Sequence, residues 1–179
     1  MKLNLSAITF LFIALLFQQQ AIASNIKTYR NNQLGFEISY SNNWVQSKRP
    51  DNSPFFIQRK SADEPGTIGI KVANLTGDKD KFMRGIKQNP EIMIKKYKQR
   101  FPDAELIKSE DTYLGGFPAY YVKASYSIKN LNFEIKVISL QIFCIRDNKI
   151  YLVSFETPQN IFNKTFVEFQ AIMATFNYR

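Results

Sequence analysis

A chain of 179 residues with 45% hydrophobic and 15% aromatic side chains has apolar content enough for one packed, sheet-containing domain and argues against a disordered chain. It has no histidine and one cysteine, which excludes Ser-His-Asp and Cys-His catalysis, His/Cys zinc sites and an internal disulfide. Its formal net charge of +9 and isoelectric point near 9.6 suit it to anionic partners.

The chain opens with the features of a secretory signal. Lys2 supplies a positive n-region, Ile8 to Phe17 an apolar h-region, and Ala21-Ile22-Ala23 a small-x-small cleavage site. The apolar run is shorter than the roughly 20 residues a spanning helix needs. Gln18-Gln19-Gln20 is a polar c-region, and no cysteine at the cleavage region offers a lipid anchor. The alternative is an uncleaved N-terminal anchor. The expected division is a cleaved signal over 1–23, a loose N-terminal arm over 24–33 and one domain over 34–179, placed in the periplasm or secreted.

Phe36 to Tyr40 alternates as a half-buried strand, with a turn at Ser41 to Asn43 before Trp44 and Val45. Phe55 to Ile57 and Gly69 to Val72 are further strands, separated by a polar turn at Ser61 to Gly66. A helical region runs from Asp78 to Phe101. Asn89-Pro90-Glu91 reads as a helix start with Asn89 as cap, so Asp80 to Gln88 is a separate short helix or turn. In the second helix Met93, Ile94, Tyr97 and Phe101 share one face, and Lys95, Lys96, Lys98 and Arg100 lie around the rest.

Glu105 to Tyr113 is a strand ended by Gly115-Gly116. Ala119 to Tyr126 puts Tyr120, Val122, Ala124 and Tyr126 on one face. The long strand Asn132 to Ile145 changes phase: Phe133, Ile135 and Val137 are apolar at odd positions, Ile138, Leu140, Ile142 and Cys144 at even ones. Such a strand needs a bulge or a second covering layer. Cys144 among these residues reads as a buried, inert thiol, with an intermolecular disulfide or a nucleophile as the alternatives. Arg146 to Lys149 is a tight hairpin, Tyr151, Val153 and Phe155 return, and Glu156 to Asn160 break the strand. Phe162, Phe166, Phe169, Met173 and Phe176 then form the apolar stripe of a C-terminal helix, which packs on the sheet. The order predicts an α+β fold, an antiparallel sheet covered by helices.

Leu34 to Trp44 (LGFEISYSNNW) resembles the opening strand of the PsbP-like superfamily, whose signature runs GF-x-I-x-Y-P-x-x-W. Tyr113 to Tyr121 (YLGGFPAYY) is similar to that family's turn into the central hairpin, and the closing hairpin with its Phe-rich helix matches its ending. Ser41 departs from the pattern, where proline is usual. The resemblance covers roughly Leu34 to Phe176. It implies an antiparallel sheet with helices on both sides, an α/β/α sandwich, and activity by binding rather than catalysis. Metal binding through histidine in photosynthetic members cannot carry over to a chain without histidine. The secretory signal argues against the nuclear transport role of another member.

Other chemistry is weakly supported. Asp78-Lys79-Asp80 lacks EF-hand spacing, Gly66 to Gly69 is too short for a phosphate loop, and Gly115-Gly116 reads as a backbone turn. Asn74-Leu75-Thr76 and Asn163-Lys164-Thr165 are glycosylation sequons without meaning in a bacterial host. The expectation is an exported, non-enzymatic binding or assembly module. It has no cofactor or metal, no nucleic-acid partner and no transmembrane segment in the mature chain. It docks on a protein or an anionic surface through Lys95, Lys96, Lys98 and Arg100. The alternative is a hydrolase using carboxylates, lysine or tyrosine in a cleft. Intact-mass measurement of the exported protein should find Ser24, or a residue within a few of it, at the N-terminus; the full-length mass in a membrane fraction would mean an anchor instead.

Overall fold

The computed structural model describes residues 25–48 and 53–179, so the signal segment over 1–23 lies outside the described residues. Strands β1 (Ile26–Asn31), β2 (Phe36–Ser41), β3 (Trp44–Gln46), β4 (Phe55–Arg59) and β5 (Thr67–Asn74) come first. Helices α1 (Lys79–Gln88) and α2 (Glu91–Arg100) follow. Then come β6 (Glu105–Leu114), β7 (Phe117–Asn130), β8 (Phe133–Arg146) and β9 (Lys149–Pro158). A 3-10 turn (Gln159–Ile161), helix α3 (Phe162–Met173) and β10 (Asn177–Tyr178) close the chain.

An antiparallel seven-stranded sheet has the order β3-β4-β5-β9-β8-β7-β6, and a smaller one the order β1-β2-β10. Strands β6 to β9 form a meander of neighbours. The β8–β9 turn places Asp147 and Asn148 at φ of 50° and 56°, the left-handed pair that a two-residue hairpin requires. At the β6–β7 turn Gly115 has φ +54°, and a Cβ there would come within 2.9 Å of the Tyr178 ring. The C-terminal strand therefore closes directly over that turn.

The segment expected as a loose arm is β1, paired with β2 along its whole length from Ile26↔Ser41 to Asn31↔Phe36. Its polar sequence lacks a periodic signal, and the neighbouring backbone supplies the pairing.

The phase change in β8 is met by a second layer. Pairing with β7 and with β9 runs in register through the strand, without a bulge. Ile138, Leu140, Ile142 and Cys144 face a core completed by Phe36, Ile38, Phe155, Phe169 and Phe176. Val137 and Phe143 face the other side, where Ile86 of α1 and Ile94 of α2 pack with Tyr120, Val122 and Ala124. The sheet lies between α3 with the small sheet on one face and α1 with α2 on the other. Phe133 and Ile135, expected to share this burial, remain exposed because neither cover reaches them.

The start of α2 differs from expectation. Asn89 ends α1, its N–H donating to Gly85 O, and Pro90 precedes α2 without any side-chain cap. Asp78 is the side chain that caps a helix here, accepting from Lys81 N at 2.6 Å.

Helix α3 is anchored by aromatic stacking and by a buried charge. Phe169 stacks on Phe155 with centroids 4.7 Å apart. Arg59 of β4, its side chain 7% exposed, ion-pairs with Glu64 at 2.8 Å and with Glu168 of α3 at 3.2 Å. Trp44 Nε1 donates to the other oxygen of Glu168, and Lys164 pairs with Glu64. The expected stripe is split: Phe162 and Phe169 are buried, Phe166 and Met173 are half-buried and look onto an open groove, and Phe176, expected on the helix, is buried beyond its end at Met173. Cys144 is fully buried, its thiol 3.5 Å from Pro118 O, and burial pushes its pKa up.

The two phenylalanines should therefore separate in a denaturant titration. Phe169→Ala should cost about 3–5 kcal/mol and Phe166→Ala about 1–2 kcal/mol. Equal losses would contradict the split stripe.

Candidate functional site

Strands β7 and β8 are 14 residues each, and their outer neighbours β6 and β9 are 10. Pairing with β6 reaches Ser125, and pairing with β9 begins at Val137. Ser127–Asn130 and Phe133–Lys136 consequently pair only with each other, as a hairpin projecting past the sheet. Ile128 and Ile135 are direct partners and lie with Phe133 on one face. Leu131, in the turn, is 98% exposed, Phe133 is 49% exposed and the two isoleucines are 40% exposed. Lys129, Glu134 and Lys136 occupy the opposite face, with Lys129 and Glu134 paired at 3.3 Å.

The apolar face of the hairpin continues into the flank of α2. Phe101 stacks on Tyr126 at 4.3 Å, and Asp103 accepts a hydrogen bond from Ser127 N at 3.3 Å. A cavity of about 680 Å³ opens between them, lined by Ile92, Tyr97, Arg100, Phe101 and Ile128. Ile92 itself is 51% exposed.

Of the four basic residues singled out from sequence, Arg100 lines this cavity and lies over the Phe101 ring at 5.3 Å. Lys95 is exposed, one turn along from Ile92. Lys98 is exposed but pairs with Glu91 at 3.2 Å. The side chain of Lys96 lies outside what is described. Ile94 is buried and Tyr97 and Phe101 are half-buried, as the apolar face of the helix requires. Sequence reasoning missed the hairpin. Its apolar residues alternate like those of a buried strand, and only the unequal lengths of the neighbouring strands expose them.

Tyr97 organises the cavity floor. Its hydroxyl donates to Glu156 Oε1 at 3.1 Å, receives Gln141 Nε2 at 2.7 Å and lies 3.1 Å from Ser139 Oγ. Burial, with the Glu156 charge adding to it, pushes the Tyr97 pKa up to about 12.

A second concavity, about 980 Å³, runs between α3 and the outer strands β6 and β7. Lys108 and Glu110 pair there, and each supports the other's charge: the Lys108 pKa is raised and the Glu110 pKa lowered. Tyr121 beside them is raised, by burial first and then by Glu110. Among the described residues no cluster of Cys, Asp and Glu gathers to hold a metal ion, and no helix is long and apolar enough to cross a membrane.

A family model described as PsbP-like protein matches residues 16–178. No curated protein matches the sequence. Among solved structures, the cyanobacterial PsbP of Synechocystis is similar with a TM-score of 0.66 at 16% identity, covering 87% of this chain and 93% of that one. LpqN of Mycobacterium tuberculosis, involved in cell envelope biogenesis, is similar with a TM-score of 0.53 at 16% identity, covering 88% and 94%. The Ran-binding protein Mog1p of Saccharomyces cerevisiae is similar with a TM-score of 0.57 at 8% identity, covering 86% and 95%. At these identities the likeness is one of fold.

Tyr97 makes an alkaline signature. Its folded pKa lies above the unfolded value near 10, so its stabilisation is complete below about pH 10 and is lost as pH rises towards about 12. Stability measured across that window should fall, and Tyr97→Phe should make the fall shallower. A phenolate absorbance titration should show one fewer late-titrating tyrosine in the variant.

Proposed function

The chain belongs to the PsbP-like family, and on that premise we propose that it is an exported, non-enzymatic binding module that docks on an anionic envelope surface. The projecting hairpin carries this reading. Large apolar side chains held in water on a stiff two-stranded arm are costly unless something covers them. Lys129 and Lys136 lie on the opposite face of the same hairpin, Arg100 lines the adjoining cavity with Ile128, and Lys95 and Lys98 are exposed on α2. A tip that places Leu131 and Phe133 among lipid chains, with cations at headgroup level, suits an anionic membrane. The net charge of +9 and the secretory signal in the sequence support the same placement, in the periplasm or outside the cell.

Binding is favoured over the hydrolase alternative because Glu110 is the single carboxylate among the residues lining the larger groove and is paired with Lys108, so the groove lacks the two carboxylates that acid–base hydrolysis uses. Ran binding by the yeast protein and envelope biogenesis for the mycobacterial one accord with a module of this kind.

Flotation with phosphatidylglycerol-containing vesicles and with neutral phosphatidylcholine vesicles tests the reading. The protein should bind the anionic vesicles and be weakened by high salt, each cation near the surface contributing about 1 kcal/mol. Leu131→Asp with Phe133→Ser should reduce binding at least about tenfold with the melting temperature unchanged, since two inserted apolar side chains are lost. Lys95→Glu with Lys98→Glu should weaken it and flatten the salt dependence. Vesicle binding unaffected by the tip substitutions would remove the hairpin from the site; no vesicle binding at all would leave a protein partner as the occupant of the tip.

A further inference from the structure

The groove beside α3 holds a charge arrangement that docking through the hairpin does not use. Lys108 of β6 and Lys123 of β7 are direct cross-strand partners, and both line the groove. Like charges set opposite each other on one face of a sheet repel. The pairing register shifts between Leu106 and Lys108, and such irregularities re-aim side chains beside binding sites. Glu110 is the carboxylate at hand, and it is committed to Lys108. Lys123 has no carboxylate partner among the described residues. Its ammonium sits 4.0 Å from the centroid of the Phe162 ring. Burial, and then the charge of Lys108, hold its pKa below the ordinary lysine range. This end of the groove is short of one negative charge.

The groove also carries Thr112, Gln170, Thr175 and Asn177, and an apolar strip runs along α3. From Phe162 the wall of α3 runs past Phe166 and Phe169 to Met173, opposite Leu140 and Ile142 of β8. A helix of this length extends about 18 Å. Phe166 and Met173 are half-buried although the same helix buries Phe169 fully. The volume of about 980 Å³ is at the upper end of the range for small-molecule sites, roughly 300–1,000 Å³.

We propose that this groove binds a single-chain amphiphile with an anionic head group, the head on Lys123 and the chain along Phe166 and Met173 of α3. Charge complementarity selects that occupant. A neutral or cationic head leaves Lys123 unpaired beside Lys108. Carboxylate and phosphate heads share the required chemistry.

Calorimetric titration of the mature chain with decanoate, decyl phosphate, decanol and decyltrimethylammonium, each below its micelle-forming concentration, tests this. At least one of the two anions should bind one to one, and the tighter of them identifies the head. That anion should bind at least about tenfold tighter than decanol, as one charge-assisted hydrogen bond requires. Lys123→Met should remove this advantage and leave decanol binding unchanged, while Lys123→Arg should retain it. Met173→Glu, on the opposite wall, should abolish binding of the anion. Equal binding of anion and alcohol, indifference to Lys123→Met in a variant that melts like wild type, or uptake of many molecules with loss of structure would each overturn the proposal. Vesicle flotation of Lys123→Met should match wild type, so failure in the groove and failure at the hairpin are separately visible.

Discussion

The strand at the centre of the meander is apolar on both faces, and the architecture follows from the need to cover it twice. Ile138, Leu140, Ile142 and Cys144 point one way and Val137, Phe143 and Ile145 the other, all of them buried. A sheet with one wet face would leave the second set in water, at about 1.5–3 kcal/mol for each large side chain. One cover is α3 with the small sheet, and the other is α1 with α2. Removing either would expose half of β8 together with the faces of β7 and β9 that pack beside it.

Both surfaces assigned a binding role lie where those covers run out. The hairpin projects because β7 and β8 are longer than the strands and helices that flank them, so Phe133 and Ile135 continue the buried pattern of β8 into solvent. The groove exists because α3 lies over β8 and β9 and leaves β6 and the outer part of β7 uncovered on that face. A fold of this kind leaves surface free at its margins without disturbing the centre.

The margins are also protected. β6 is an edge strand and presents an unpaired row of backbone groups. Its side chains include Lys108, Glu110 and Asp111, and its pairing is irregular after Leu106, both of which discourage another strand from adding to it. On the opposite side Arg59, Glu64, Glu168 and Trp44 tie α3 to β3 and β4 through a buried charge. Arg59 Nε and Nη1 have no hydrogen-bond acceptor among the described residues, and the charge is balanced by the ion pairs with Glu64 and Glu168.

Much of this was legible in the chain itself. The strict alternation of Phe36 to Tyr40, the phase change after Val137, the Asp147-Asn148 turn and the spacing of phenylalanines after Asn160 are all local signals in the sequence. Together with the YLGGFPAYY and LGFEISY segments they specify an α+β sandwich of PsbP-like type. What sequence could not decide concerns neighbours that are remote along the chain. β1 has no period of its own and is a strand because β2 lies beside it. Phe166 and Phe169 are alike in the helical stripe, yet one faces a groove and the other stacks on Phe155. Lys123 is one lysine among many until β6 places Lys108 opposite and α3 places Phe162 over it. Local periodicity records which side of an element is apolar, because that depends on residues a few positions apart. Whether that side is then covered depends on the lengths and order of strands that meet only in the folded sheet.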